Sequence, residues 1–325
     1  MRIALIGLGS VGKGVGHVLK NDKRFTITAA ADSKSGVVND KGLNIEELLA
    51  KKKTTGVCGS HEWNAMKIAS EADYDVLVEV TPTNAITGEP ALSVIKAALS
   101  RGKHVVTSNK GPISVAYKEL QKLADENHAE LRFEGTVAGA VPIINGIKHG
   151  LGGNKIKSVS GVLNGTCNYI LTRMEEEGLT YSQALAEARD LGYAEKDPTY
   201  DVNGTDSAIK LVILANTVLG MNAKLSDVKM VGIDGLTADA LLMAETTGQS
   251  IRLIASIDVE KNELEVSPRL ISELDSLVVE GTLNAVTVDT EYAGEITFIG
   301  RGAGSVETAS AILSDLLSVY EKYAE

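Results

Sequence analysis

Two cysteines in 325 residues, Cys58 and Cys167, are too far apart to suggest a disulfide framework, and without CxxC spacing they offer no structural zinc site. A reducing cytoplasm is the expected setting. The chain also lacks any apolar run near the roughly 20 residues that span a bilayer. Its opening, MRIALIGLG, has no basic region, long apolar core or small-residue cleavage site. Positive charge is in short supply: 32 Lys and Arg stand against 43 Asp and Glu, a net charge of −11. That balance argues against nucleic acid or an anionic membrane as a partner. The one dense basic run, Lys51 to Lys53, reads as a solvated helix end. Low-complexity tracts and internal repeats are missing too, and 44% hydrophobic with 23% charged residues is the composition of a soluble globular chain. Its length calls for two packed lobes, or one lobe with a large insertion.

What is there begins with alternation. Arg2 to Ile6, Phe25 to Ala31, Asp75 to Val80, Lys103 to Thr107 and Glu130 to Glu134 read as short buried strands. Helical patterns separate them, around Val11 to Leu19, Pro90 to Ser100 and Ser114 to Asn127, so a mostly parallel sheet is expected. From Gly135 the texture changes. Strands at Lys155 to Val162, Ser250 to Ile257, Glu263 to Ser267, Leu283 to Asp289 and Glu295 to Ile299 predict an open, largely antiparallel sheet, with helices at Asn164 to Glu177, Ser182 to Leu191 and Thr205 to Leu219. Ala309, Ile312, Leu313, Leu316, Leu317 and Tyr320 share one face of a last helix, which is expected to pack back on the first lobe.

Gly7, Gly9 and Gly12 form GxGxxG directly after a strand and at the opening of a helix, the context in which this motif binds a dinucleotide. Gly7 permits the tight turn, Gly9 lets backbone approach a pyrophosphate, and Gly12 allows close helix-to-strand packing, with phosphate at the positive helix end. Asp32, at the end of the second strand, is placed to bond an adenosine ribose and favour NAD. Ser33, Lys34 and Lys52 could instead receive the 2′-phosphate of NADP, and Asp32 could simply cap its loop, so the choice stays open.

The fourth strand runs into TSNKGP, which puts Asn109 and Lys110 at a strand C-terminus, where open parallel sheets hold ligands; a solvated loop lysine is the competing reading. GYAEKDPTYDVNGTDSAIKL gathers Glu195, Asp197, Asp201 and Asp206 ahead of Lys210. Asp206 and Lys210 are one helical turn apart, so the carboxylate can hold the ammonium. An exposed pair of this kind would matter little, but the apolar run from Leu211 to Ala215 makes the helix a buried one. A dense acidic group suits a substrate ammonium, and lysines suit a carbonyl oxygen that becomes an alkoxide as hydride arrives.

At this point the chain resembles homoserine dehydrogenases over nearly its whole length, through GLGSVG, TSNK, GVLNGTCNYIL, GYAEKDPTYDVNGTDSAIKL and GRGAG in order. The resemblance implies a Rossmann-like α/β domain plus an α+β substrate and dimerisation domain. Its expected segments are residues 1–134 with 301–325 for the cofactor, 135–150 with 283–300 for dimerisation, and 151–282 for the substrate. It implies NAD or NADP as cofactor, with Gly7, Gly9, Ser10, Val11, Gly12, Asp32, Ser33, Lys34, Lys52, Thr81, Asn109, Lys110 and Gly304 around it. Lys110 and Lys210 would attend the reacting carbonyl, Lys210 as proton donor and Asp206 as its positioner. Glu195 would bind the substrate ammonium, with Thr166, Tyr193 and Asp201 lining the pocket. EGTVAGAVPI is similar to the family's monovalent-cation loop, implying Glu134, Val137, Gly139 and Val141 as ligands of sodium; a connection that merely allows close packing is the alternative. Cys167 stands where the family often has a second threonine, a change expected to alter packing more than chemistry. The implied reaction interconverts L-aspartate-4-semialdehyde and L-homoserine, a step toward threonine, methionine and isoleucine, in a homodimer. Some relatives add a regulatory domain or an aspartate kinase; a short form without either is expected. Two rivals remain at this stage: a related amino-acid or semialdehyde dehydrogenase of altered specificity, and a redox-sensing dinucleotide binder without chemistry.

Overall fold

In a computed structural model, which describes residues 1–323, the chain forms two compact units: Met1–Ala140 with Gly304–Glu325, and Val141–Ala303. The first is built on a six-stranded sheet of order β3-β2-β1-β4-β5-β6. Its strands are β1 (Arg2–Ile6), β2 (Thr26–Ala31), β3 (Gly36–Val38), β4 (Val76–Glu79), β5 (His104–Thr107) and β6 (Leu131–Arg132). All neighbours pair in parallel except β2 with β3. The strands are apolar because helices cover them: Ile3, Leu5, Val76, Val78 and Val106 share one core with Val15 and Leu19 of the helix Ser10–Leu19. Ala309, Ile312, Leu316 and Val319 of the helix Ser305–Tyr323 fill the same core, so the last helix does return to the first unit. β1 lies between β2 and β4, and the strand order reverses there, which opens a ligand crevice beyond the C-terminal ends of β1 and β4.

The second unit holds a six-stranded sheet of order β12-β11-β7-β9-β10-β8. Its members are β7 (Ile156–Val162), β8 (Val228–Met230), β9 (Gln249–Asp258), β10 (Glu263–Ser272), β11 (Leu283–Thr290) and β12 (Glu295–Arg301). Pairing is antiparallel apart from β8, which runs parallel to β10. The helix Thr205–Thr217 is buried almost all round, as its Leu211 to Ala215 run requires.

Several elements depart from the sequence reading, among them the helices Ala65–Glu71 and Ala238–Glu245, which it does not include, and the strand expected over Glu130 to Glu134, which spans only Leu131–Arg132. β3 and β8 are three residues each, too short for any alternation to register. The helix expected from Ser114 begins instead at Lys110, because the Asn109 side chain accepts the Gly111 amide hydrogen and caps it four residues earlier.

Candidate active site

At the end of β1 the chain turns through Gly7, whose φ of 109° is left-handed and whose missing Cβ would lie 2.7 Å from the Val80 carbonyl oxygen. Gly12 faces the same constraint from inside, since a Cβ there would sit 2.0 Å from the Gly7 oxygen. Gly9 differs: a Cβ would meet nothing within 4 Å, so its backbone faces open space. It is also the N-cap of the helix Ser10–Leu19, with no side chain capping the first turn. Amide hydrogens of Ser10, Val11 and their neighbours, at the positive end of a helix, are what a pyrophosphate needs. The loop fits a dinucleotide.

Asp32 follows β2 and does two jobs. Its Oδ1 accepts from the Lys34 and Ser35 amides at 2.8 and 2.9 Å, capping the loop, and its Oδ2 pairs with Lys52 Nζ at 3.0 Å. Burial would raise the Asp32 pKa, but those amides and the ammonium outweigh it and hold the carboxyl below its ordinary value. Lys52 lies in the last turns of the helix Ile45–Thr55, so one lysine of the basic run is engaged rather than merely solvated. Ser33 and Lys34 are exposed beside it.

At the ends of β4 and β5, Thr81, Thr107 and Asn109 form a hydrogen-bonded group. Asn109 Nδ2 donates to Thr81 Oγ1 at 3.3 Å, and its main-chain N–H donates to Thr107 Oγ1 at 3.0 Å. Lys110 is the first residue of the next helix. A cation there opposes the helix dipole by roughly 0.3–1 kcal/mol, so helix stability does not explain it. Gly304, with φ of 135°, leads into the helix Ser305–Tyr323, whose Ser305 hydroxyl donates to the Ser10 carbonyl at 2.5 Å.

In the second unit β7 runs through Leu163 into Asn164, the N-cap of the helix Gly165–Glu177. Lys210 Nζ lies 2.7 Å from Asp206 Oδ2 and donates to the Leu163 carbonyl at 2.6 Å. The pair is no exposed ion pair: the side chains are 10% and 8% accessible. Asp206 sits in the first turn of its helix, where the dipole favours a carboxylate.

Asn164 is the residue that sequence reasoning missed. Its Nδ2 donates to Asp201 Oδ1 at 2.7 Å and to Asp206 Oδ2 at 3.0 Å, while its Oδ1 accepts the Cys167 amide hydrogen. It opens the NGTCNYIL motif, and an asparagine before a helix was the available signal. Cys167 is fully buried, and burial, followed by the nearby Asp201 and Asp206 charges, pushes its thiol well up; the sulfur donates to the Asp201 carbonyl. It is a packing group rather than a nucleophile. Thr166 Oγ1 donates to the Tyr193 carbonyl at 2.7 Å, tying to the helix a segment in which Tyr193 and Glu195 are exposed around buried Ala194.

In the cation-loop candidate, Glu134, Val137 and Val141 are buried, and Ala138 and Gly139 both take a left-handed φ of 55°. The Glu134 amide donates to buried Asp315 at 2.8 Å. Val141 begins the second unit. Among the described residues no group of three or more His, Cys, Asp or Glu is arranged for a metal.

A doubly wound unit with an open glycine loop, and a second unit that buries a lysine on two acceptors, define a nicotinamide-dependent oxidoreductase. The chain belongs to the homoserine dehydrogenase family. A family model described as homoserine dehydrogenase, NAD binding domain, matches residues 7–134, and one described as homoserine dehydrogenase matches residues 142–317. A homoserine dehydrogenase of Methanocaldococcus jannaschii is 44% identical, with 98% of each chain covered. An NAD(+)-dependent homoserine dehydrogenase of Pseudomonas canavaninivorans is 36% identical over 98% of this chain and 96% of its own. Among solved structures, a provisionally assigned homoserine dehydrogenase of Archaeoglobus fulgidus superposes with a TM-score of 0.92 at 45% identity, covering 98% and 99% of the two chains. A hyperthermophilic archaeal homoserine dehydrogenase in complex with NADPH gives 0.86 at 30% identity, covering 99% and 98%. The activity is accordingly NAD(P)-dependent hydride transfer between L-aspartate-4-semialdehyde and L-homoserine. Among the described residues no helix is long and apolar enough to cross a membrane.

Proposed function

We propose that Lys210 is the acid–base group of this reaction and that Asp206 holds it in place. An ammonium has three donors. Asp206 and the Leu163 carbonyl take two of them, and the third is assigned to the substrate oxygen; this observation carries the proposal. The bound nicotinamide supplies hydride to C4 of the semialdehyde, or accepts it from homoserine. As the carbonyl π pair moves onto oxygen, Lys210 gives that oxygen its proton, and it takes the proton back in the oxidation direction. Lys110 stabilises the developing negative charge. Glu195 fixes the substrate ammonium, and Thr166, Tyr193 and Asp201 line the amino-acid pocket. Homoserine-dependent reduction of NAD or NADP by the wild type, abolished in Lys210→Ala, tests the assignment; undiminished turnover removes Lys210 from the mechanism.

For the cofactor, Gly7, Gly9 and Gly12 carry the pyrophosphate with the first amides of the helix Ser10–Leu19, and Gly304 lies by the nicotinamide. Asp32 meets the ribose, and Lys52, Ser33 and Lys34 receive a 2′-phosphate. The Asp32–Lys52 pair supports acceptance of both dinucleotides, because one oxygen-rich and one cationic group stand together. A monovalent cation held by Glu134 and the carbonyls of Val137, Gly139 and Val141 is a further part of the reading. The buried Glu134 carboxylate and the left-handed Ala138 and Gly139 support it. Turnover in sodium, potassium and a bulky organic cation tests it, with equal rates counting against it. The enzyme works as a homodimer through residues 135–150 and 283–300, where Tyr292 and Ile299 expose 78% and 52% of their surface. Light scattering at the monomer mass would refute that.

A further inference from the structure

β4 ends on a residue that an apolar strand has no use for. Val76, Leu77 and Val78 are fully buried, and so is Glu79, the next residue, with no accessible surface at all. A carboxyl group in that position is costly unless its oxygens are met by donors. They are. Oε1 accepts from the Thr81 amide at 2.9 Å and, in a short hydrogen bond, from the Thr81 hydroxyl; the Thr107 hydroxyl divides its hydrogen between the Glu79 main-chain oxygen at 2.9 Å and Oε2 at 3.2 Å. Asn109 Nδ2 donates to Thr81 Oγ1 and to the Pro82 carbonyl, beside the carboxyl.

These bonds close a ring across two strand ends. From Glu79 it runs through Thr81 Oγ1 to Asn109 Nδ2 on one side, and through Thr107 Oγ1 to the Asn109 main-chain N–H on the other. Asn109 in turn caps the helix that begins with Lys110. Burial pushes the Glu79 carboxyl up and these donors oppose it; when ionised, the group is acceptor-only and its two oxygens can take the Thr81 and Thr107 donors together. Hydrophobic packing alone would have been satisfied by another valine.

The geometry points to Glu79 as a positioning residue of the dehydrogenase: its two oxygens fix Thr81 and Asn109 at the β4 and β5 ends, and through Asn109 they set the start of the Lys110 helix. Glu79 touches neither substrate nor cofactor; it acts through the residues that do. The inference rests on the reading of Thr81, Asn109 and Lys110 as cofactor- and substrate-facing groups.

Glu79→Met, Glu79→Gln, Thr107→Val and Asn109→Ala, each followed by thermal unfolding and by kcat with separate KM values for cofactor and homoserine, test it. Glu79→Met removes both acceptors at similar volume; the expected result is a cofactor KM raised about tenfold and a kcat lowered about tenfold, with the homoserine KM nearly unchanged. In Glu79→Gln the amide oxygen still accepts from Thr81 and the NH2 group donates to Thr107 Oγ1, which can turn its own hydrogen to the Glu79 main-chain oxygen, 2.9 Å away in the wild type. That variant is expected to recover most of the activity. A purely structural role would lower the unfolding temperature and the active fraction without moving the cofactor KM. If Glu79→Met does not fold, Thr107→Val decides: a raised cofactor KM supports the assignment, an unchanged one overturns it. A folded Glu79→Met with wild-type constants also overturns it, as does a folded Glu79→Gln no better than Glu79→Met. If Asn109→Ala leaves the cofactor KM unchanged, the reading of the strand end itself fails. If Asn109→Ala is impaired and Glu79→Met is not, the positioning role alone fails.

Discussion

Asn164 and Asp206 are joined by a 3.0 Å hydrogen bond onto Oδ2, the same carboxylate oxygen that takes the Lys210 ammonium at 2.7 Å. The helix cap of one element thereby steadies the carboxylate of another, and the carboxylate steadies the lysine.

Replacing Asn164 with Ala removes that link together with the bond to Asp201 and the cap on the helix Gly165–Glu177. The expected loss is about 2–4 kcal/mol of stability from the cap and two charge-assisted hydrogen bonds. Turnover is expected to fall about ten- to a hundredfold as Lys210 loses its fixed position. Denaturant unfolding and steady-state kinetics on the same preparation check both; stability loss without any change in kcat would confine Asn164 to the fold.

Lys52→Ala leaves Asp32 without its ammonium partner. A 2′-phosphate would then face an uncompensated carboxylate, so the KM for NADP is expected to rise about tenfold or more while that for NAD changes little. Parallel assays with the two cofactors give the answer, and an equal effect on both would separate Lys52 from cofactor choice.

The same carboxylate carries a pH signature. Although burial opposes it, the Lys34 and Ser35 amides and Lys52 hold the folded Asp32 pKa below the ordinary value. Its stabilising contribution is therefore full above about pH 4, the unfolded pKa, and is lost as pH falls through the lower folded value. The stability gap between wild type and Asp32→Asn should be flat near neutrality and shrink in acid. A gap that widened in acid would contradict the assignment.

Leu316 is fully buried against the first unit's core. Leu316→Ala is expected to cost about 2–5 kcal/mol in denaturant unfolding. A cost within about 0.5 kcal/mol, typical of surface positions, would mean that the last helix is not part of that core.

What the sequence makes legible is what is local. Gly12 answers to the Gly7 oxygen five residues back, and Asp206 with Lys210 to a single helical turn, so spacing alone finds them. Asn164 and Glu79 are opaque for the opposite reason. Asn164 meets Asp201 and Asp206 from 37 and 42 residues away, and Glu79 meets Thr107 from 28. One polar residue closing an apolar strand gives no hint of which donors will surround it. The lone signal for Glu79 is a carboxylate in the run VLVEV. Lys52 reads as part of a basic run and as one of several candidates for a 2′-phosphate because nothing in its own helix announces the pairing with Asp32, and β3 and β8 are invisible because three residues cannot establish a period. Motif resemblance supplies the individual roles that spacing leaves undecided, such as Glu195 for the substrate ammonium.

The most direct test of the account replaces Lys210 with Met, which keeps an unbranched side chain one atom shorter and removes the ammonium, and measures turnover with homoserine beside cofactor affinity by fluorescence titration. The account predicts turnover lowered about a thousandfold or more, within the range that acid–base groups contribute, and cofactor affinity within about threefold of wild type. A folded Lys210→Met enzyme that turns over within about tenfold of wild type would contradict it.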